Sequence, residues 1–132
     1  MDHAKTTSDC LFCHPVENRI EVLAENELAL LLKDNYPVSP GHCLAVPRRH
    51  VETYFDLSQT EIIALNELLR ERRKALLAED AHITGFNVGT NAGASAGQSV
   101  FHAHIHLIPR RDGDQDNPRG GVRKVFPDKA SY

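Results

Sequence analysis

Three histidines alternate with small or apolar residues in the run Val100-Phe101-His102-Ala103-His104-Ile105-His106-Leu107-Ile108, which Pro109 closes. The pattern predicts a strand over 100–108. Successive side chains of a strand point to opposite faces, so His102, His104 and His106 are expected on one face and Phe101, Ala103, Ile105 and Leu107 on the core side. A rise of about 3.3 Å per residue sets neighbouring histidine Cα atoms roughly 6.5 Å apart, within reach of one small ligand. Three chemistries fit such a row. It can be a polar face turned to water, where threonine, lysine or glutamate would be more usual. It can offer two or three imidazole nitrogens to zinc. Or one imidazole can attack a substrate while a neighbour acts as acid or base, a task suited to an unperturbed pKa of about 6.5.

A second pair of reactive residues stands near the start, in Cys10-Leu11-Phe12-Cys13. Two thiolates at this spacing can close half of a tetrahedral zinc site, which then needs two further ligands. The same pair can be a redox couple or two small buried residues. With Cys43 the chain has 3 cysteines, too few for a disulfide framework, so a reducing compartment and a cytoplasmic location are expected.

The elements that must position these residues are legible in part. Residues 20–23 and 28–32 are short apolar segments around Ala24-Glu25-Asn26-Glu27 and predict a hairpin. Asn35-Tyr36-Pro37-Val38-Ser39-Pro40-Gly41 is rich in turn formers and leads into a strand over 42–46, ended by Pro47. Ser58-Gln59-Thr60-Glu61 has capping-box spacing, and Ile62, Leu65, Leu69 and Leu76 follow at helical intervals. One amphipathic helix to about Ala78 results, with Glu67, Arg70, Arg73 and Lys74 mainly on its solvated side. Residues 86–91 alternate as a half-buried strand, and a loop of small residues follows over 92–97. The expected fold is α+β, a mainly antiparallel sheet with one long amphipathic helix.

Length and charge narrow the function classes. The chain has 132 residues and a formal net charge of −3, which fits a single domain over 1–132 with a loose arm over 1–9 and a polar tail over 111–132. No apolar run approaches the ~20 residues of a membrane span, and the first residues lack a signal-peptide core. A sequence pI near 6.2 argues against a nucleic-acid coat protein.

Taken with its flanks, Gly97-Gln98-Ser99 through Pro109-Arg110 resembles the signature of the histidine-triad (HIT) nucleotide hydrolases and transferases. The resemblance extends to Asp34 through His42 and to Val46-Pro47-Arg48-Arg49-His50-Val51, and Asp9 through Cys13 is similar to the opening of bacterial members. It covers roughly Cys10 to Arg110 and implies a HIT-like fold. It implies further that His102, His104 and His106 form the catalytic group, with His104 attacking an α-phosphorus and His106 protonating the leaving group. Asp34 would bind ribose hydroxyls, Leu32 would line the base pocket, and Asn91 would face phosphate or sugar. Gln98, Ser99 and the backbone amides of 93–97 would bind the phosphate oxygens without a catalytic metal. Ser99 has the wrong parity for the histidine face unless the strand begins later.

Some HIT relatives, and the related galactose-1-phosphate uridylyltransferases, bind zinc through a similar cysteine pair and two histidines. Here these match Cys10, Cys13, His50 and His102, which makes His102 structural. The resemblance also implies a purine nucleotide substrate, either a dinucleoside polyphosphate or a nucleoside phosphoramidate, and a homodimer, with no nucleic acid or membrane partner. Asn35 departs from the family, where an apolar residue often flanks the base. Asn117 through Arg123 resembles the C-terminal region of some bacterial members. His3, His14 and His82 have no matching role, and His42, within the matched loop, receives none. Arg48, Arg49, Arg110 and Arg111 read as solvated surface. Two other classes stay open: a hydrolase using the three histidines as catalytic zinc ligands, and a nucleotide-binding module without turnover.

Overall fold

In the computed structural model, which describes residues 7–131, the chain runs β1 (Val22–Glu25), β2 (Ala29–Lys33), β3 (Cys43–Pro47), α1 (Gln59–Glu79), β4 (Ile83–Gly89) and β5 (Ile105–Arg111). Short 3-10 turns lie between these elements and in the tail. Of the expected arm over 1–9, residues 1–6 lie outside the described residues, His3 among them. The strands form one sheet in the order β1-β2-β3-β5-β4, with every neighbouring pair antiparallel.

Alternation along β2 and β3 separates two apolar layers. Ala29, Leu31, Cys43 and Ala45, with Leu107 of β5, face Leu65, Leu68 and Leu76 of the helix. Leu32, Leu44 and Val46 face the other way and pack with Phe12 and Ile20. The helix begins where its sequence signal lies. Ser58 accepts from the Glu61 amide and Glu61 accepts from the Ser58 amide. Glu61 also takes two bonds from the Arg49 guanidinium at 3.0 and 2.7 Å. That pair ties the helix start to the segment bearing His50. No helix among the described residues is long and apolar enough to cross a membrane.

The last strand departs from the sequence expectation. It spans Ile105–Arg111 rather than 100–108, so His102 and His104 precede it and only His106 lies on it. Pro47 accounts for the late start. The Arg48 amide bonds the Leu28 carbonyl on the β2 side, so the Pro47 nitrogen and carbonyl face β5. Proline offers no donor there, and ladder pairing between β3 and β5 ends at Ala45 and Ile105. The Pro47 carbonyl instead takes a bond from the His102 ring, 2.8 Å from Nε2. The Ala103 amide turns to the Val51 carbonyl at 2.8 Å.

Pro109 was expected to close the strand, yet it lies inside it, paired with Phe86. Its carbonyl accepts from the Ser39 hydroxyl at 2.7 Å, which puts its missing N–H on the side beyond the start of β3, where no ladder bond is lost. Smaller shifts affect the other strands: 83–89 rather than 86–91, and a hairpin over 22–25 and 29–33.

Candidate active site and metal centre

Because the chain leaves the ladder before Ile105, His102 and His104 point to different places. His102 is fully buried. A carbonyl cannot donate, so the ring carries its proton on Nε2 toward Pro47 and turns the Nδ1 lone pair to the cysteines. Nδ1 lies 3.4 Å from Sγ of Cys10, 3.5 Å from Sγ of Cys13 and 3.2 Å from Nδ1 of His50. Sγ of Cys13 is 3.3 Å from Nδ1 of His50. All four ligand atoms lie within 4.8 Å of one another. Zinc bond lengths of about 2.05 Å to nitrogen and 2.3 Å to sulfur imply tetrahedral edges of roughly 3.3–3.8 Å. The observed separations fit that figure, and the Pro47 carbonyl, by taking the Nε2 proton, holds the His102 imidazole in the tautomer a metal needs.

His104 is oriented from both sides. Its Nδ1 lies 2.7 Å from the His102 carbonyl, so the proton is on Nδ1 and the Nε2 lone pair is free. Its own carbonyl accepts from the Thr90 hydroxyl at 2.6 Å. Burial pushes its pKa below the usual histidine value, which keeps the ring neutral near pH 7.

His106 is set by a residue to which the sequence assigned no role. The Val38 amide donates to Nδ1 of His42 at 3.1 Å, so neutral His42 carries its proton on Nε2. That atom lies 2.9 Å from Nδ1 of His106 and 3.3 Å from Oδ2 of Asp34. Nδ1 of His106 therefore accepts, and its remaining proton sits on Nε2. Burial first, then His104 and His42, push the His106 pKa down to about 4. Asp34, His42 and His106 also bring three ligand atoms together. The Val38 bond fixes the His42 tautomer, so Nε2 presents a proton there rather than a lone pair. The cluster is a hydrogen-bond relay.

These groups border a cavity of about 320 Å³. Its lining combines the polar Asp34, Asn91, Ser99, His104 and His106 with the apolar Leu11, Phe12, Ile20 and Leu44. Ser99 reaches the cavity because the strand begins later, the condition its parity demanded. Asp34 also closes a local turn, accepting from the Tyr36 amide at 2.8 Å.

Gln98 is turned inward. Its amide donates to the Glu52 and Val100 carbonyls, and its oxygen accepts from the Gly93 amide, so it braces the 93–97 loop. Leu32 is fully buried behind the cavity wall, in the layer with Phe12 and Leu44. Leu11, Phe12, Ile20 and Leu44 were not singled out from the sequence as lining residues. His42 was recoverable from its place at the start of β3, the strand that pairs with the histidine strand.

The four arginines pair away from the histidines: Arg48 with Glu25, Arg49 with Glu61, Arg110 with Asp114 and Arg111 with Asp80. A second cavity of about 410 Å³ lies along β5 from His106, with Asn87, Ile108, Arg110, Arg111, Asp114 and Lys124 on its walls.

This fold and this histidine arrangement define a class. Residues 16–113 match the HIT domain family model, and the chain belongs to that family. It is 37% identical over 113 residues to an "uncharacterized HIT-like protein" of Saccharolobus solfataricus, covering 81% of this chain and 78% of that one. It is 33% identical to the adenylylsulfatase HINT3 of Arabidopsis thaliana, over 81% of this chain and 55% of that protein. The crystal structure of a Zn-bound histidine triad family protein from Mycobacterium smegmatis superposes with a TM-score of 0.72 at 30% identity, covering 81% and 78% of the two chains.

Proposed function

We propose that this protein is a nucleotide hydrolase or nucleotidyl transferase that cleaves at an α-phosphate through a covalent nucleotidyl-histidine on His104. The observation that carries the reading is the paired tautomers: a neutral His104 with Nε2 free, beside a His106 whose Nε2 carries a proton. The Nε2 lone pair of His104 attacks the α-phosphorus and the bond to the leaving group breaks. The His102 carbonyl stabilises the imidazolium that forms. His106 donates a hydrogen bond to the departing atom. Water or another acceptor then breaks the P–N bond and releases the nucleotide.

The base, a purine by family resemblance, packs on the apolar residues of the cavity. Asp34 binds the ribose hydroxyls, and Asn91, Ser99 and the 93–97 amides bind the phosphate. Gln98 acts through the loop it braces and Leu32 from behind the wall. His42 is a positioning residue for His106.

One feature favours a dinucleoside polyphosphate over a phosphoramidate. A neutral His106 stabilises an oxygen that departs as an anion better than it delivers a full proton to an amine.

Cys10, Cys13, His50 and His102 are assigned to one structural zinc ion, which supplies cross-linking of the N-terminal segment to the sheet. Burial raises the Cys10 thiol pKa, a cost that a bound cation offsets by pairing with the thiolate. Thiolates in this role fit a reducing, cytoplasmic setting. The reading of a catalytic zinc on the three histidines is disfavoured, because the His102 ring faces the cysteines while its carbonyl faces His104. A homodimer is proposed through β4, the edge strand of the sheet, where Val88 and Ile63 are half exposed beside an apolar groove.

Intact-protein mass spectrometry after brief incubation with a diadenosine polyphosphate, quenched under non-acidic denaturing conditions, tests the mechanism. An adenylyl adduct is expected on wild type and none on His104→Ala. Turnover by His104→Ala with no adduct on wild type would restore the metal reading. Binding without product or adduct would leave the binding module.

A further inference from the structure

Leu11 and Phe12 are the two residues between Cys10 and Cys13, and both line the cavity that holds His104 and His106. The Phe12 ring meets the His104 ring edge-on with centroids 5.0 Å apart, and the His102 ring at 6.0 Å. Phe12 is 7% exposed, whereas Leu11 is 42% exposed. Neither sits on a strand or helix. Residues 10–19 form a succession of turns bonded largely within the segment, from the His14 amide to the Cys10 carbonyl and from Asn18 to His14 and Pro15, with the Asn35 side-chain amide reaching the Arg19 carbonyl at its far end. Phe12 is also held by its packing on Leu32 and Leu44, and both wall residues are tethered at each side by a cysteine that faces His50 and His102.

His102 belongs to both sites at once. Its Nδ1 faces the cysteine sulfurs and its carbonyl holds Nδ1 of His104. From this geometry, and resting on the zinc and nucleotide readings above, we infer that the Cys10/Cys13/His50/His102 centre sets affinity at the base end of the substrate cavity. Metal binding closes the four-residue chelate loop and seats Leu11 and Phe12 as the wall the nucleobase packs on. The phosphate ligands proposed above, Asn91, Ser99 and the 93–97 amides, lie outside that loop in the chain. Loss of the metal therefore weakens binding of the base-bearing part of a ligand more than binding of its sugar phosphate.

The test titrates AMP and, separately, ribose 5-phosphate into zinc-loaded wild type, chelator-treated wild type and zinc-loaded Phe12→Ala. Calorimetry reads affinity, circular dichroism reads folding and metal analysis reads occupancy. Chelation is expected to weaken AMP at least about tenfold and ribose 5-phosphate less than about twofold. Phe12→Ala is expected to reproduce that selective loss with its zinc retained. A folded, zinc-free protein that binds AMP with unchanged Kd overturns the inference. So does a Phe12→Ala protein with unchanged AMP affinity, and that variant decides the matter if chelation unfolds the wild type. Zinc-loaded wild type that binds neither ligand overturns the nucleotide reading itself, and this inference with it. Failure of wild type to take up zinc overturns the metal reading in the same way.

Discussion

The carbonyl oxygen of His102 lies 2.7 Å from Nδ1 of His104, while the ring of the same residue faces two cysteines. One residue thereby joins the cysteine–histidine cluster to the imidazole proposed as nucleophile. A strand running through 102–106 would have spent the His102 carbonyl on the ladder or on the sheet edge. The irregular segment frees it to orient a side chain.

His42 is expected to act on His106 and not on substrate. In His42→Ala, kcat should fall roughly 10–100-fold, a fraction of what a positioned acid contributes. The loss should grow as the leaving group becomes more basic, because more negative charge then develops beside His106. A uniform loss across leaving groups, measured by steady-state kinetics on a substrate series, would assign His42 a purely structural role.

The pH profile follows from burial. The proposed nucleophile His104 can attack only when neutral, and burial moves its pKa below the ordinary value of about 6.5. The acidic limb of kcat/KM is therefore expected below pH 6.5, with a plateau through neutrality. Stability follows the same sign. His106 titrates near 4 in the folded chain and near about 6.5 when unfolded. Within that window the unfolded chain binds protons that the folded chain resists. This contribution is complete above the unfolded value and is lost as pH falls toward the folded one. Chemical denaturation between pH 7 and 4 should show stability declining in that direction.

Zinc content should be close to one ion per chain, and Cys13→Ser should lose it. Metal bound only by the folded state adds its binding free energy to stability. Even a few kcal/mol corresponds to a fall in Tm of roughly 10 °C or more. Elemental analysis with thermal unfolding checks both, and an unchanged Tm would remove the structural role.

Glu61→Ala removes the cap acceptor for Ser58 and the partner of Arg49 together. Bonds to charged groups contribute about 1.5–3 kcal/mol each when shielded, and Arg49 is partly solvated, so a net loss of about 1–3 kcal/mol is expected. Urea unfolding measures it. Glu61→Gln should recover part of the loss, since it keeps the acceptor.

Much of this protein was decided by short-range chemistry and is readable residue by residue. The Ser58/Glu61 box starts the helix because both partners lie within one turn. The apolar segments around Asn26 make a hairpin because the turn and the strands are adjacent in the chain. The histidine run and the cysteine pair are legible for the same reason: their chemistry is written in local spacing. Tertiary packing decided what those spacings could not.

Pro47 lies on β3, 55 residues from His102 in the chain, and its missing donor stops the ladder and leaves its carbonyl to hold that ring inward. Gln98, to which the family resemblance gives a phosphate role, is turned inward by a bond to the Glu52 carbonyl, 46 residues away. Cys13 meets His50 and His102 across 37 and 89 residues, and His42 meets His106 across 64. Periodicity reports which face a residue occupies within its own element. Which nitrogen holds a proton, and toward which partner, depends on donors and acceptors that only the folded chain brings within 3 Å.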